Sequence, residues 1–286
     1  MKINLIVGVV LLGVLFSSCE KWQVAEDIPD PEELVVVNAA FSPSDSVVAV
    51  YVGNASSDFQ SAFLASELAI NNAEVFVISG ESRKRLTYSE SSSLYEISTR
   101  EFPIIQGRKY QLEVTANGTA LSAECIVPEN IPTPKLKVLK DGEFIFGEVS
   151  WQSTAVGQTF QLVGNATFIN NRGFPQQVFG SWDYDLSKLL EADKKNQSFT
   201  QINTARTQGV LSDTTQIIFE VNLTTYDING SRYLESARNA NDSPQINVEF
   251  FNRFISPSIR YSNVKNGLGV VLAYNRQTVI EKLNSR

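Results

Sequence analysis

Chemistry in this sequence is limited first by an omission, since none of its 286 residues is a histidine. That removes Ser-His-Asp and Cys-His arrangements and every histidine-ligated metal site. Among what remains, Trp182, Asp183, Tyr184 and Asp185, directly after Phe179-Gly180-Ser181, set two large aromatics beside two carboxylates. Aromatic faces stack on sugars and other flat ligands while carboxylates accept their hydrogen bonds, so this stretch is a candidate ligand surface. The same residues also fit a strand whose Phe179 or Trp182 fills a core while the aspartates face water. Asp183 and Asp185 have the two-residue spacing of calcium loops, but the further oxygen ligands and the glycine of such loops are missing. No metal site is expected. A carboxylate pair for glycoside hydrolysis is defined by geometry, and nothing in the sequence singles one out. No Ser-x-x-Lys context stands out either, and Ser79-Gly80-Glu81-Ser82 reads as a hairpin turn. The expectation is a chain with no catalytic residues, no enzyme activity and no cofactor.

The two cysteines read differently. Cys125 lies in Leu121-Ser122-Ala123-Glu124-Cys125-Ile126-Val127, where the odd positions are apolar. It is expected to point inward as a small hydrophobe, with no histidine to activate it. Cys19 ends a segment made of Lys2, an apolar run from Leu5 to Phe16, and Ser17-Ser18. That is the layout of a secretory signal. The run is about a dozen residues, roughly 18 Å as a helix, against roughly 30 Å of hydrocarbon to be crossed. A spanning helix is not expected. Leu15-Phe16-Ser17-Ser18-Cys19 resembles a bacterial lipobox, with Phe16 bulkier than the usual residue at its place. The implied mature protein starts at Cys19 and carries lipid there, which makes a bilayer its first partner. Each buried methylene contributes about 0.8 kcal/mol, so several acyl chains hold where one is marginal. Cys125 is then the only remaining thiol, and no internal disulfide is expected.

Lys and Arg total 24 against 31 Asp and Glu, a net charge of -7. The chain lacks the basic field that nucleic-acid backbones demand, and no nucleic-acid partner is expected. With 43% hydrophobic and 19% charged residues, it has apolar material for one large or two medium cores.

The elements that must position any site are written mostly as strands. Residues 1–18 form the signal, and 19–33, acidic with Pro29 and Pro31, form an extended tether. From Leu34 come short β-branched and aromatic runs at Leu34–Ala40, Val47–Val52, Ala73–Ile78, Arg85–Tyr88, Tyr95–Ile97, Tyr110–Thr115 and Leu121–Val127. Tyr110, Leu112 and Val114 alternate with polar residues before Asn117-Gly118, which predicts a hairpin. Residues 34–130 therefore read as an N-terminal β-sandwich domain resembling immunoglobulin or transthyretin folds. Pro128, Pro132 and Pro134 make a stiff connector. Residues 131–286 read as a second, C-terminal β-rich sandwich domain, giving an all-β chain. Its expected strands are Leu136–Lys140, Glu143–Trp151, Thr159–Ile169, Ile217–Tyr226, Gln245–Phe251 and Leu268–Tyr274, with a turn at Asp141-Gly142. Short helices are expected at Leu186–Lys194, where Leu186, Leu189 and Leu190 share a face, and at Thr278–Leu283.

Cys19 with the Ile28-Pro29 tether, Leu34 to Asn38, Asn72 to Val75, Gly107 to Val114, Val127-Pro128 with Ile131-Pro132, and Tyr261 to Val270 together resemble the Bacteroidota lipoprotein family known as domain of unknown function 4249. The last, Tyr261-Ser262-Asn263-Val264-Lys265-Asn266-Gly267-Leu268-Gly269-Val270, is the most specific. The resemblance implies two β-rich parts and, because such genes often adjoin those of TonB-dependent receptors, an accessory role in outer-membrane uptake. It implies no substrate and no catalytic residues. The expected function is a lipid-anchored, non-enzymatic binding or accessory module at the outer membrane, the alternative being a structural or adhesive surface protein. In Tyr261–Val270 itself, Asn266-Gly267 and Gly269 flank Leu268, which predicts a tight turn where backbone passes closely before a buried strand. Asp45-Ser46-Val47 and Asp213-Thr214-Thr215 resemble O-glycosylation acceptors of this bacterial group. Arg83-Lys84-Arg85 and Lys194-Lys195 read as solvated faces.

Overall fold

The computed structural model describes residues 34–55, 65–129, 131–141, 144–170, 172–173, 175–177, 189–206, 214–239 and 261–284. The order opens with β1 (Val35–Phe41), β2 (Val47–Asn54) and the short helix α1 (Ala65–Leu68). Next come β3 (Glu74–Ser79), β4 (Ser82–Arg85), β5 (Thr87–Ser89), β6 (Leu94–Ser98), β7 (Lys109–Ala116) and β8 (Thr119–Ile126). Beyond the prolines lie β9 (Lys135–Asp141), β10 (Phe144–Gln152), β11 (Thr159–Asn170), β12 (Pro175–Gln177), β13 (Leu190–Glu191), β14 (Ser198–Arg206) and β15 (Thr214–Tyr226). Helix α2 (Ile228–Asn239) and strand β16 (Val271–Asn284) follow. The fold is all-β.

The local rules behave as the residues dictate. In β7, Tyr110, Leu112, Val114 and Ala116 are buried and alternate with more exposed residues, and the turn to β8 places Asn117 at φ 51° and Gly118 at φ 77°. Asn and Gly tolerate that left-handed pair, whose twist matches the strands. Ser79 pairs with Ser82 across Gly80-Glu81, and Asp141 pairs with Phe144, so both other expected hairpins form.

The strands build one long sheet, β12-β11-β15-β16-β1-β2-β6-β5 with β13 also on β11, and two smaller ones, β4-β3-β7-β8 and β14-β10-β9. The four-stranded sheet covers one half of the long sheet. There Val37, Phe41, Val50 and Tyr95 meet Val75, Tyr110, Leu112 and Cys125 in one core. The three-stranded sheet covers the other half, where Val149 and Trp151 meet Phe160, Leu162, Val221 and Leu223. Two sandwiches thus share a sheet. The largely apolar β1, interrupted by the buried Asn38, is explained by burial on both faces: Val35, Val37 and Phe41 enter the first core, while Val36 joins Tyr51, Leu272 and the α2 residues Tyr233 and Leu234 on the opposite face.

Strand β16 links the sandwiches. It pairs parallel with β1 (Ala39 with Val271, Phe41 with Ala273) and antiparallel with β15 from Tyr226–Tyr274 to Gln216–Asn284. The long sheet therefore crosses residue 130, where the sequence suggests a division.

Two helix expectations are corrected. Residues 278–283 belong to β16, because Thr278, Val279 and Ile280 complete the ladder with β15. At 189–194 the chain forms β13 and a turn: Leu190 pairs with Phe160 and packs with Ala192 into the second core. The longer described helix, α2, stands instead at Ile228–Asn239. The expected strand Gln245–Phe251, the signal, the tether and residues 186–188 lie outside the described residues. Among the described residues no helix is long and apolar enough to cross a membrane.

Candidate functional site

Cys19 and the candidate surface Trp182, Asp183, Tyr184 and Asp185 lie outside the described residues. Cys125 points inward as expected, 2% exposed. Burial raises its thiol well above the usual range, and the Asp227 and Glu124 carboxylates add to the shift, so it stays protonated and unreactive. Asp45 accepts a hydrogen bond from Tyr274 Oη (2.7 Å), while neighbouring Ser46 is exposed. The cluster at Arg83 and Arg85 makes exposed ion pairs with Glu113 (3.1 Å) and Glu74 (3.7 Å), and Arg83 lies over the Phe76 ring.

The Tyr261–Val270 motif acts as a clamp. Lys265 N donates to Ser122 O (2.8 Å), Asn266 Nδ2 to Ala120 O (2.9 Å) and Leu268 N to Val35 O (2.9 Å). A side chain at Gly267 would lie 2.6 Å from Val35 O and closer still to Leu121, so the expected close backbone approach is present. Asn263 holds Val271 from both sides, accepting from its N–H (2.9 Å) and donating to its carbonyl (2.8 Å). Tyr261 Oη donates to Asn229 Oδ1 (2.7 Å), and Asn229 Nδ2 donates to Glu124 O (2.8 Å). The start of α2, the end of β8 and the start of β16 are therefore sewn together. Asp227 caps α2 at this junction, its Oδ1 accepting from Gly230 N (2.8 Å). Burial pushes its carboxyl up to about 6, against the opposing pull of the surrounding backbone N–H groups.

Next to the clamp, α2 and the long sheet enclose a cleft of about 420 Å³. Ile228, Ser231, Arg232 and Glu235 line it from one stripe of the helix, spaced i, i+3, i+4 and i+7. Gly157, Thr159, Leu189, Glu191 and Tyr226 complete the described lining. Tyr226 is 6% exposed and donates to Gln161 Oε1 (2.6 Å), so its ring offers no open face for stacking. Ser231 Oγ donates to Asp227 O (3.0 Å) and is hydrogen-bonded to Thr159 Oγ1. Sequence reasoning missed this cleft because it missed α2.

A shallower groove of about 520 Å³ runs over one end of the three-stranded sheet, lined by polar residues such as Lys135, Ser150, Gln152, Ser198 and Thr200. Trp151 borders it, and its buried indole Nε1 has no hydrogen-bond partner among the described residues. Its ring stacks on Phe199 (5.3 Å) and meets Phe160 edge-on, so Trp151 serves mainly as a core plug. Among the described residues no three His, Cys, Asp or Glu side chains converge as metal ligands.

Comparison with solved structures gives distant likenesses, among them the following three. A putative carbohydrate binding protein from Bacteroides uniformis ATCC 8492 is 12% identical over 68% of this chain and 90% of that one, with a TM-score of 0.21. A penta-heme cytochrome c552 from Thermochromatium tepidum is 10% identical over 52% of this chain, with a TM-score of 0.23, and the match spans 39% of the cytochrome. The chitinase ChiA74 from Bacillus thuringiensis is 11% identical over 62% of this chain and 28% of that one, with a TM-score of 0.19. None of the three bears on what this chain does. No curated protein matches it. The family model described as Domain of unknown function (DUF4249) matches residues 23–280, and the chain belongs to that family.

Proposed function

We propose that this chain is a lipid-anchored, non-enzymatic binding or accessory module serving uptake through a TonB-dependent receptor of the outer membrane. The observation that carries the reading is Leu15-Phe16-Ser17-Ser18-Cys19, followed within sixteen residues by the first strand at Val35. Sixteen residues span at most about 55 Å, so a body held by lipid on Cys19 stays within molecular reach of its membrane. Tethering converts encounter with a membrane partner into a nearly intramolecular event, which lets a modest contact be occupied most of the time. The total lack of histidine supports a binding role over hydrolysis. The receptor as partner rests on the genomic neighbourhood typical of the family.

Metabolic labelling of the native cells with radioactive palmitate, followed by cross-linking and mass spectrometry of the captured proteins, tests both parts. Label on the wild type, none on Cys19→Ala, and a TonB-dependent receptor among the cross-linked products are expected. An unlabelled wild type removes the anchor, and repeated capture without any receptor removes the uptake role.

A further inference from the structure

The cleft between α2 and the long sheet holds groups whose hydrogen-bonding capacity is not used by the fold. Ser231 has one hydroxyl proton, and it goes to the Asp227 carbonyl. The proton in the Thr159–Ser231 bond is therefore that of Thr159. Both hydroxyls then offer only lone pairs to the cleft. Glu191 and Glu235 add two carboxylates, and neither makes an ion pair among the described residues. Against these acceptors stands one donor-rich group, the Arg232 guanidinium, which is also without an ion pair there. Leu189, half-buried, and Ile228, 61% exposed, supply apolar wall.

A ligand that satisfies this set carries an ammonium for the acceptors and a carboxylate for the guanidinium fork, with room for an apolar side chain. Among the described residues the cleft's aromatic is Tyr226, which is enclosed, so its lining there favours charged and hydrogen-bonding contacts over ring stacking on a sugar. The volume lies within the range of small-molecule sites. Resting on the reading of the chain as a binding module, we propose that this cleft binds a small zwitterion, an amino acid or short peptide with free ends. Arg232 takes the carboxylate, and Glu191 with Glu235 takes the ammonium.

The test is titration of the purified full-length protein in detergent with the dipeptide glycyl-leucine, its N-acetyl form and its C-terminal amide, on wild type, Arg232→Ala and Glu191→Gln. Both side chains are exposed and make no ion pair among the described residues, so the variants keep the fold, which circular dichroism verifies. Glycyl-leucine is expected to bind, each cap to weaken binding about tenfold, and each substitution to do likewise. Removal of Arg232 should cost nothing further for the amide, and removal of Glu191 little further for the N-acetyl form, because each pair is already broken. No binding up to about 10 mM dipeptide, capped forms that bind as well as the free one, or losses that simply add would each overturn the proposal. Receptor capture that persists alongside any of those results removes the ligand class and leaves the anchored module standing.

Discussion

At Gly269 the backbone sits at φ 118°, and a Cβ would fall 2.0 Å from the Val37 carbonyl oxygen. The atom it would strike is main chain in a doubly buried strand, so relief requires moving β1 itself. Gly269→Ala is expected to cost about 3 kcal/mol or more, read as a lower urea midpoint, whereas Gly118→Ala should cost about 1 kcal/mol. Gly118 also has a positive φ, but nothing stands within 4 Å of its added carbon. Equal losses at the two positions would show that conformation rather than contact governs the clamp. Asp227 gives a second single-residue expectation. Its carboxyl rises from 3.8 to about 6 through burial, so the folded state holds the proton more tightly than the unfolded chain. Its contribution is full below about pH 3.8 and is lost as pH climbs through 6. At ~1.4 kcal/mol per pH unit the swing is on the order of 3 kcal/mol. Asp45 is also raised by burial and acts in the same direction, so the comparison must be between wild type and Asp227→Asn. The variant should show a flatter fall in stability between pH 4 and 6, and an unchanged slope would mean that Asp227 does not titrate in that window.

Elements whose identity is set by their own residues were legible, and those set by distant partners were not. The Asn117-Gly118 hairpin needs only its turn and its alternation, and it forms where expected. The stretch around Leu189 and Leu190 has helical spacing, yet Leu190 is drawn into the core beneath β10 and β14 as part of a two-residue strand. The turn beyond it is held by Gln197 Oε1, which accepts from Asp193 N (2.7 Å). Helix α2 was hidden because its first turn contains Gly230 and its apolar face is thin, chiefly Tyr233 and Leu234. Its one local signal is the Asp227 cap. The motif Tyr261–Val270 was legible as a close turn, but the partners that make it a clamp, Glu124, Ser122 and Asn229, are distant in sequence. If α2 and β16 depend on that clamp, Asn263→Ala should leave both Val271 main-chain groups without this partner and cost about 1–3 kcal/mol, with faster amide exchange at Val271. Tyr261→Phe, which removes one bond to Asn229, should cost about 1 kcal/mol. An Asn263→Ala variant with native exchange at Val271 would separate the motif from the stability of β16.

Because two sandwiches share one sheet, the N-terminal one is not complete within its own stretch of sequence. Val264, Val271 and Ala273 lie in the first core together with Val37, Val75 and Leu112, although more than a hundred residues separate them along the chain. Removing β16 leaves β1 with an open hydrogen-bonding edge and uncovers apolar surface on both of its faces. Each large apolar side chain kept from water contributes about 1.5–3 kcal/mol, so losing Val264, Val271 and their neighbours is comparable with the roughly 5–15 kcal/mol that holds a whole domain. An exposed edge beside an apolar face also invites pairing with other chains. Residues 34–130 expressed alone are therefore expected to lack a cooperative urea transition and to aggregate. The same fragment co-expressed with residues 131–286 should recover both solubility and cooperative unfolding, because the second fragment brings β16 and the clamp with it. A soluble 34–130 fragment that unfolds cooperatively near the midpoint of the intact protein would mean that the shared sheet is a junction between independent domains, and that β16 docks onto a sandwich already formed.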